Sequence, residues 1–275
     1  MLSSIPMQGR LVTRRGVGNA LAAALVLVTF GCVPRKTGRE AHGGDSSTAH
    51  APALENPAEV LHPCPPQPSG PPIGKSDPLM NAAAPKLSEW VTMWRAALPG
   101  FEADSMWGGG RERWLPASTQ HFERISDLIS DRGIAFDILG LRSPDGRYIL
   151  DVDSYMGITP GADSLDYGGE PESRTVLIDP FAKTETVVDF CGTPCGFHWG
   201  AWLSPTSFAL AYWHDADDSG QWEQGRLSIY SLSDSMAASY RTRIISTDDA
   251  LRYRTAWERW LMKRYRALKA SRPRA

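Results

Sequence analysis

The sequence lacks the motifs that identify the common hydrolases. None of Gly-x-Ser-x-Gly, His-Glu-x-x-His and Ser-x-x-Lys occurs among its 275 residues. Histidine is scarce as well, with six in the whole chain. A triad that assembles in space from His121, His198 or His214 stays open, because triads are defined by geometry and not by order along the chain. On balance the sequence favours a protein that is not an enzyme.

The chain also lacks an apolar run long enough to cross a bilayer. Its most apolar stretch covers residues 20–30, whereas a membrane-spanning helix needs roughly 20 apolar residues. This stretch follows Arg10, Arg14 and Arg15 and ends before a small residue. A basic start, a short apolar centre and a small residue at the end are typical of a secretory signal, which we expect over residues 1–31.

The end of this signal has a recognisable pattern. Residues 28–32, Val-Thr-Phe-Gly-Cys, resemble the lipobox of bacterial lipoproteins. The resemblance implies that Cys32 becomes the first mature residue and carries a lipid. We therefore expect an exported protein of the bacterial cell envelope that is held on a membrane by Cys32.

A proline-rich stretch follows the signal. Residues 33–85 contain 11 of the 21 prolines of the chain. Such a segment cannot bury enough apolar surface to offset the cost of ordering it, so residues 32–85 are predicted to be a disordered tether. The remainder is long enough for one domain with a core of its own.

The rest of the chain predicts a mainly β fold with flanking α-helices. Apolar side chains at helical spacing predict helices over residues 87–98 and 118–130, so we expect residues 86–132 to be a helical segment that packs on the β domain. The β domain is expected over residues 133–246. Its eight predicted strands cover residues 134–141, 147–153, 175–179, 184–190, 197–203, 208–213, 226–230 and 237–245.

The eight predicted strands divide into two copies of one four-stranded antiparallel unit. Ser143-Pro144 in the first copy aligns with Ser204-Pro205 in the second. Residues 143–150, Ser-Pro-Asp-Gly-Arg-Tyr-Ile-Leu, resemble the blade motif of periplasmic β-propellers of the Tol-system type. A closed propeller needs at least about four blades, and this chain has room for two. The resemblance therefore implies two blade-like units packed together.

Residues 247–275 predict a basic amphipathic helix at the C-terminus. Its apolar stripe, which has basic residues beside it, is formed by Tyr253, Trp257, Trp260, Leu261 and Leu268. The stripe is expected to pack on the sheet, and a helix lying on anionic lipid is the alternative. Nucleic acid is not an expected partner, because an exported protein rarely meets it and the β domain is acidic.

The paired cysteines near the middle of the β domain predict a disulfide. Cys191 and Cys195 have three residues between them, and the bacterial envelope is an oxidising compartment. A zinc site that adds His198 and His214 to these cysteines is the alternative, and it needs reduced thiolates. Cys64 is then left either to pair between molecules or to stay free.

An acidic segment has the ligand spacing of a calcium loop. Oxygen-bearing side chains stand at alternate positions around Gly220, which allows a sharp bend. The candidate ligands are Asp215, Asp217, Ser219, Gln221 and Glu223. The spacing is similar to the calcium hairpins of integrin-like propeller blades. A polar hairpin turn without a metal is the alternative, and no other cofactor is expected.

Aromatic residues are the remaining candidates for binding. If they were exposed, Trp199, Trp202, Trp213 and Trp222 could stack on sugars or contact a protein; the alternative is that they belong to the core.

The function expected from these features is a non-catalytic binding or scaffolding module for an envelope protein or a cell-wall glycan. The alternative is an envelope hydrolase that uses His198 or His214 with acidic neighbours, and it requires a cavity where one of them meets carboxylates.

Overall fold

The computed structural model describes residues 9–10, 63–73, 77–161, 164–169, 172–192, 195–217 and 219–271. Cys32 and nearly all of the expected signal lie outside these residues. The helices are α1 (Pro78–Ala83), α2 (Ser88–Ala97), α3 (Ile125–Leu139) and α4 (Thr247–Ser271), with a 3₁₀ turn at Ala103–Ser105.

Thirteen strands accompany these helices in the described part of the chain. In chain order they are β1 (Gly9–Arg10), β2 (Trp107–Arg113), β3 (Ser118–His121), β4 (Gly140–Arg142), β5 (Ile149–Asp151), β6 (Met156–Pro160), β7 (Leu165–Gly169), β8 (Ser173–Asp179), β9 (Thr184–Cys191), β10 (Cys195–Ser204), β11 (Ser207–Asp215), β12 (Trp222–Ser231) and β13 (Met236–Ser246).

The strands form two main antiparallel sheets of five strands each. Sheet 1 has the order β3-β9-β8-β5-β4, sheet 2 has the order β10-β11-β12-β13-β2, and a small third sheet has the order β1-β7-β6. The fold is therefore a mixture of helices and mostly antiparallel sheets, and the described residues form no closed propeller.

Sheet 2 is the central layer of the molecule. One of its faces packs against α2 and α4 through a cluster that includes Trp90, Trp94 and Trp257, whose side chains are fully buried. The opposite face meets sheet 1, where Phe208 packs near Leu150. This burial of both faces explains why the strands of sheet 2 carry long apolar runs.

Each sheet gains a fifth strand that the sequence did not predict. β2 pairs with β13 and β3 pairs with β9. The predicted helix over residues 118–130 is therefore wrong at its start, where Ser118–His121 is β3. All four residues of β3 are exposed at a sheet edge, so no apolar alternation marks the strand.

The predicted strand over residues 134–141 is also wrong. α3 continues to Leu139, and β4 occupies only Gly140–Arg142. Gly133 has non-helical dihedral angles (φ +53°, ψ −140°), so α3 consists of two helical segments that meet at a kink there, and the first segment ends at Gly133 as the sequence predicts. The apolar run after Gly133 fits a helix and a strand equally well, and its packing in the tertiary structure decides the outcome.

The predicted tether is wrong at its C-terminal end. Pro78–Ala83 forms α1, and Met80 is buried in the core. The Asp77 carboxylate accepts hydrogen bonds from the main-chain N–H groups of Leu79 and Met80, both at 2.9 Å. An N-cap aspartate followed by proline at the first helical position is a strong start signal, which the surrounding prolines obscured.

The C-terminal helix packs as predicted. Tyr253, Trp257, Trp260 and Leu261 are buried against sheet 2 and α2. An apolar stripe covered in this way is not available to lipid, so the alternative of a helix lying on a membrane does not hold.

Candidate functional site

His198 is a buried core residue and not a candidate base. Its Nε2 lies 2.6 Å from the Ser173 hydroxyl, and its ring stacks on Tyr212. Burial lowers the pKa of His198 to about 4. The imidazole is therefore neutral at physiological pH, and within the described part of the chain its hydrogen-bond partner is a hydroxyl and not a carboxylate.

His214 is a neutral bridge between two strands. Arg226 donates from Nη2 to His214 Nε2 at 2.7 Å, because a guanidinium has no acceptor. Nδ1 then carries the proton and donates to the Asp215 carbonyl. Burial and the Arg226 charge lower the pKa of His214. With both nitrogens engaged, His214 is not free to act as a base.

The four tryptophans form no exposed binding platform. Trp199, Trp202, Trp213 and Trp222 are all at most 8% exposed. They alternate along strands whose two faces are both covered, so an aromatic ring on either face lies in the core. The core interpretation of these residues is correct, and the glycan-stacking interpretation is wrong.

The paired cysteines are joined to each other. Cys191 ends β9, Cys195 begins β10, and their Cα atoms lie 5.9 Å apart across the disulfide. This bond consumes the thiolates that a zinc site needs. No cysteine of the described residues is free, Cys64 included.

The acidic loop connects β11 to β12 and folds around its own carboxylates. Asp215 Oδ2 accepts a hydrogen bond from the Gly220 N–H at 2.7 Å, and Asp217 Oδ1 accepts from the Ser219 hydroxyl at 2.6 Å. Gly220 has φ +70°, which glycine adopts without strain. The carboxylates of Asp215 and Asp217 therefore point into the loop.

Glu223 completes the acidic loop from the second position of the returning strand, β12. It lies opposite Asp215 in the β11–β12 pairing. Its side chain is buried, and Oε2 has no hydrogen-bond partner. Burial, followed by the charges of Asp215 and Asp217, raises the pKa of Glu223 to about 8. The loop thus holds a buried carboxyl group whose charged neighbours, among the described residues, are two further carboxylates.

The acidic loop is attached to the start of α4. Thr247 donates from its main-chain N–H to the Gln221 carbonyl at 3.0 Å and from its hydroxyl to the Gly220 carbonyl at 2.8 Å. Any ion or partner that orders the loop therefore acts on the first turn of a helix that packs across the core.

A cavity of about 360 Å³ lies elsewhere, between α3 and sheet 1. Arg132, Arg174 and Glu185 form ion pairs in its lining. The sequence analysis missed this site, because its charged residues come from three separate elements and share no local motif. Neither His198 nor His214 lines it.

No family model, curated protein or solved structure matches the chain. No helix within the described ranges is long and apolar enough to span a membrane.

The raised pKa of Glu223 predicts a specific dependence of stability on pH. A folded-state pKa of about 8 lies above the ordinary value of 4.5. The contribution of Glu223 to stability is therefore fully present below the ordinary value and is lost as the pH rises through about 8. In EDTA, Glu223→Gln should flatten the decline in the free energy of unfolding between about pH 5 and pH 9, measured by urea denaturation.

The matched control is Glu123→Gln, which alters an exposed glutamate and should reproduce the wild-type slope. Parallel curves for Glu223→Gln and the wild type would show that Glu223 titrates normally.

Proposed function

We propose that this protein is an exported lipoprotein of the bacterial envelope whose folded part is a non-catalytic binding or scaffolding module for an envelope protein or a cell-wall glycan, with calcium holding its acidic loop. The observation that carries the calcium proposal is the buried Glu223 carboxyl group, which has an unpartnered oxygen beside Asp215 and Asp217.

Calcium fits the chemistry of the loop. The ion takes about six to eight hard oxygen ligands, and the loop offers them from Asp215, Asp217, Ser219, Gln221 and Glu223. A buried carboxylate without a partner is costly, and a bound cation removes that cost.

Carboxylates alone are insufficient for this site. Within the described ranges, no group of three or more His, Cys, Asp or Glu side chains is arranged to hold a metal ion. The loop amides and the Ser219 hydroxyl engage Asp215 and Asp217. Coordination therefore depends on hydroxyl, amide and main-chain oxygens in addition to the acids.

A blade-like repeat is the finer part of the proposal. One turn joins β4 to β5, and another joins β10 to β11. Each pair of strands is an antiparallel hairpin. Both turns have a serine where the first strand ends, and its hydroxyl accepts a main-chain N–H: Ser143 accepts from Tyr148, five residues on, at 2.9 Å, and Ser204 from Thr206, two residues on, at 3.2 Å. This correspondence supports two copies of one unit.

Binding is favoured over the hydrolase alternative by the state of the two histidines that this alternative would use. His198 is buried and neutral, and both nitrogens of His214 are engaged. A histidine that acts as a general base needs a free ring nitrogen within reach of the substrate.

Calcium should raise the melting temperature of the purified chain. For a dissociation constant of about 10 μM, 1 mM calcium adds roughly 2.7 kcal/mol to the stability of the folded state. In a domain of this size that corresponds to a rise of about 5–10 °C, measured by thermal denaturation against EDTA. Asp217→Asn should lose the rise, because it removes one of the charged oxygens.

The control for this experiment is Asp166→Asn, which changes an exposed aspartate on β7. It should keep the full response to calcium. If calcium left the melting temperature of the wild type unchanged, the loop would be a polar turn that does not bind the ion.

The lipid anchor has its own test. In a bacterial host, the wild-type chain should sediment with membranes, and Cys32→Ala should move to the soluble fraction, because the acylated residue is lost. Cys64→Ala provides the matched control and should stay with the membranes. Retention of Cys32→Ala in the membrane fraction would contradict lipidation at this residue.

A further inference from the structure

The cavity beside α3 has the dimensions and the lining of a small-molecule site. Its volume of about 360 Å³ falls in the range of ligand pockets, roughly 300–1,000 Å³. Leu128 and Phe122 give it an apolar side, and its charged lining residues are Asp131, Arg132, Arg174 and Glu185.

The charged wall has a surplus of hydrogen-bond donors. The two oxygens of Glu185 accept from separate guanidinium groups, Arg132 at 2.9 Å and Arg174 at 3.3 Å. Arg174 also donates from Nε to the Ser154 hydroxyl at 3.0 Å, and Arg132 pairs with Asp151 at 2.9 Å. Each guanidinium has five N–H groups, which is more than these contacts use.

These donors are held in place before any ligand arrives. The side chains of Arg132 and Glu185 are 11% and 9% exposed, and the Arg174 guanidinium lies 4.8 Å from the centre of the Tyr155 ring. Because the arginine side chains are already ordered, they lose little conformational entropy when a ligand binds. A planar guanidinium fork matches the paired oxygens of a carboxylate or a phosphate.

We propose that this cavity binds a small ligand through a carboxylate or phosphate group, with Arg132 and Arg174 as the donors. A ligand with several hydrogen-bond acceptors can pair with the guanidinium N–H groups that these two arginines present to the cavity. His121 and Gln120, also in the lining, add polar groups from β3. The site is separate from the acidic loop and does not depend on calcium.

The test measures the melting temperature of the purified chain in 20 mM inorganic phosphate, in 20 mM succinate and in sodium chloride of equal ionic strength. A dissociation constant near about 1 mM predicts a rise of roughly 4–7 °C over chloride. The phosphate and succinate arms distinguish the two oxyanions.

Two variants test whether the rise in melting temperature comes from an anion bound in the cavity. Arg174→Gln removes one donor fork, and Leu128→Trp fills the cavity from α3 without removing an ion pair. Both should lose the rise. Arg147→Gln is the matched control, because Arg147 lies over the Tyr148 ring at 4.9 Å in the same manner, outside the cavity.

The proposal is supported if at least one anion raises the melting temperature of the wild type and of Arg147→Gln, while Leu128→Trp and Arg174→Gln do not respond. It is overturned if neither anion exceeds chloride, or if Leu128→Trp or Arg174→Gln responds like the wild type. Because Leu128→Trp leaves every ion pair in place, failure of Arg174→Gln to fold does not prevent the decision.

Discussion

Two hydrogen bonds from α4 to consecutive carbonyl groups of β10 determine how the rest of the structure is arranged. The Tyr253 hydroxyl donates to the Phe197 carbonyl at 3.2 Å, and Trp257 Nε1 donates to the His198 carbonyl at 2.8 Å. Both aromatic side chains are fully buried. The bonds meet β10 at an irregular point, since Phe197 has φ +55° and the register with β11 shifts there. A strand that leaves its ladder exposes carbonyl groups that need other donors, and α4 provides them.

Because α4 is fixed at its middle, its ends connect the two candidate sites. Its first residue bonds to the acidic loop that contains Glu223. Near its other end, Arg264 donates from Nε to the Ile138 carbonyl in α3 at 2.7 Å, and α3 also carries Arg132 of the cavity. The two candidate sites differ in their chemistry. One contains the Glu223 carboxyl group, whose Oε2 has no hydrogen-bond partner. The other contains two arginines with more N–H groups than their ion pairs use. Neither site needs a histidine, which agrees with the proposed binding role.

The parts of the fold that the sequence predicted are those in which one face is buried along the whole element. α2 and α4 show apolar side chains at helical spacing, and the strands of sheet 2 are long and apolar. Edge strands have no such signal, so β3 was mistaken for a helix. The run after Gly133 was ambiguous, because the choice between helix and strand depends on packing. The acidic loop could be predicted from local spacing. The cavity could not, since Arg132, Arg174 and Glu185 come together only when α3, β8 and β9 meet.

Native-state hydrogen exchange of the α4 amides tests the central claim most directly. If the bonds of Tyr253 and Trp257 make α4 part of one cooperative core, the amides of residues 253–261 should exchange with the same free energy of opening as those of β11 and β12. Exchange of these α4 amides through openings several kcal/mol smaller, with sheet 2 still protected, would show that α4 is a separate unit and contradict its role in connecting the two sites.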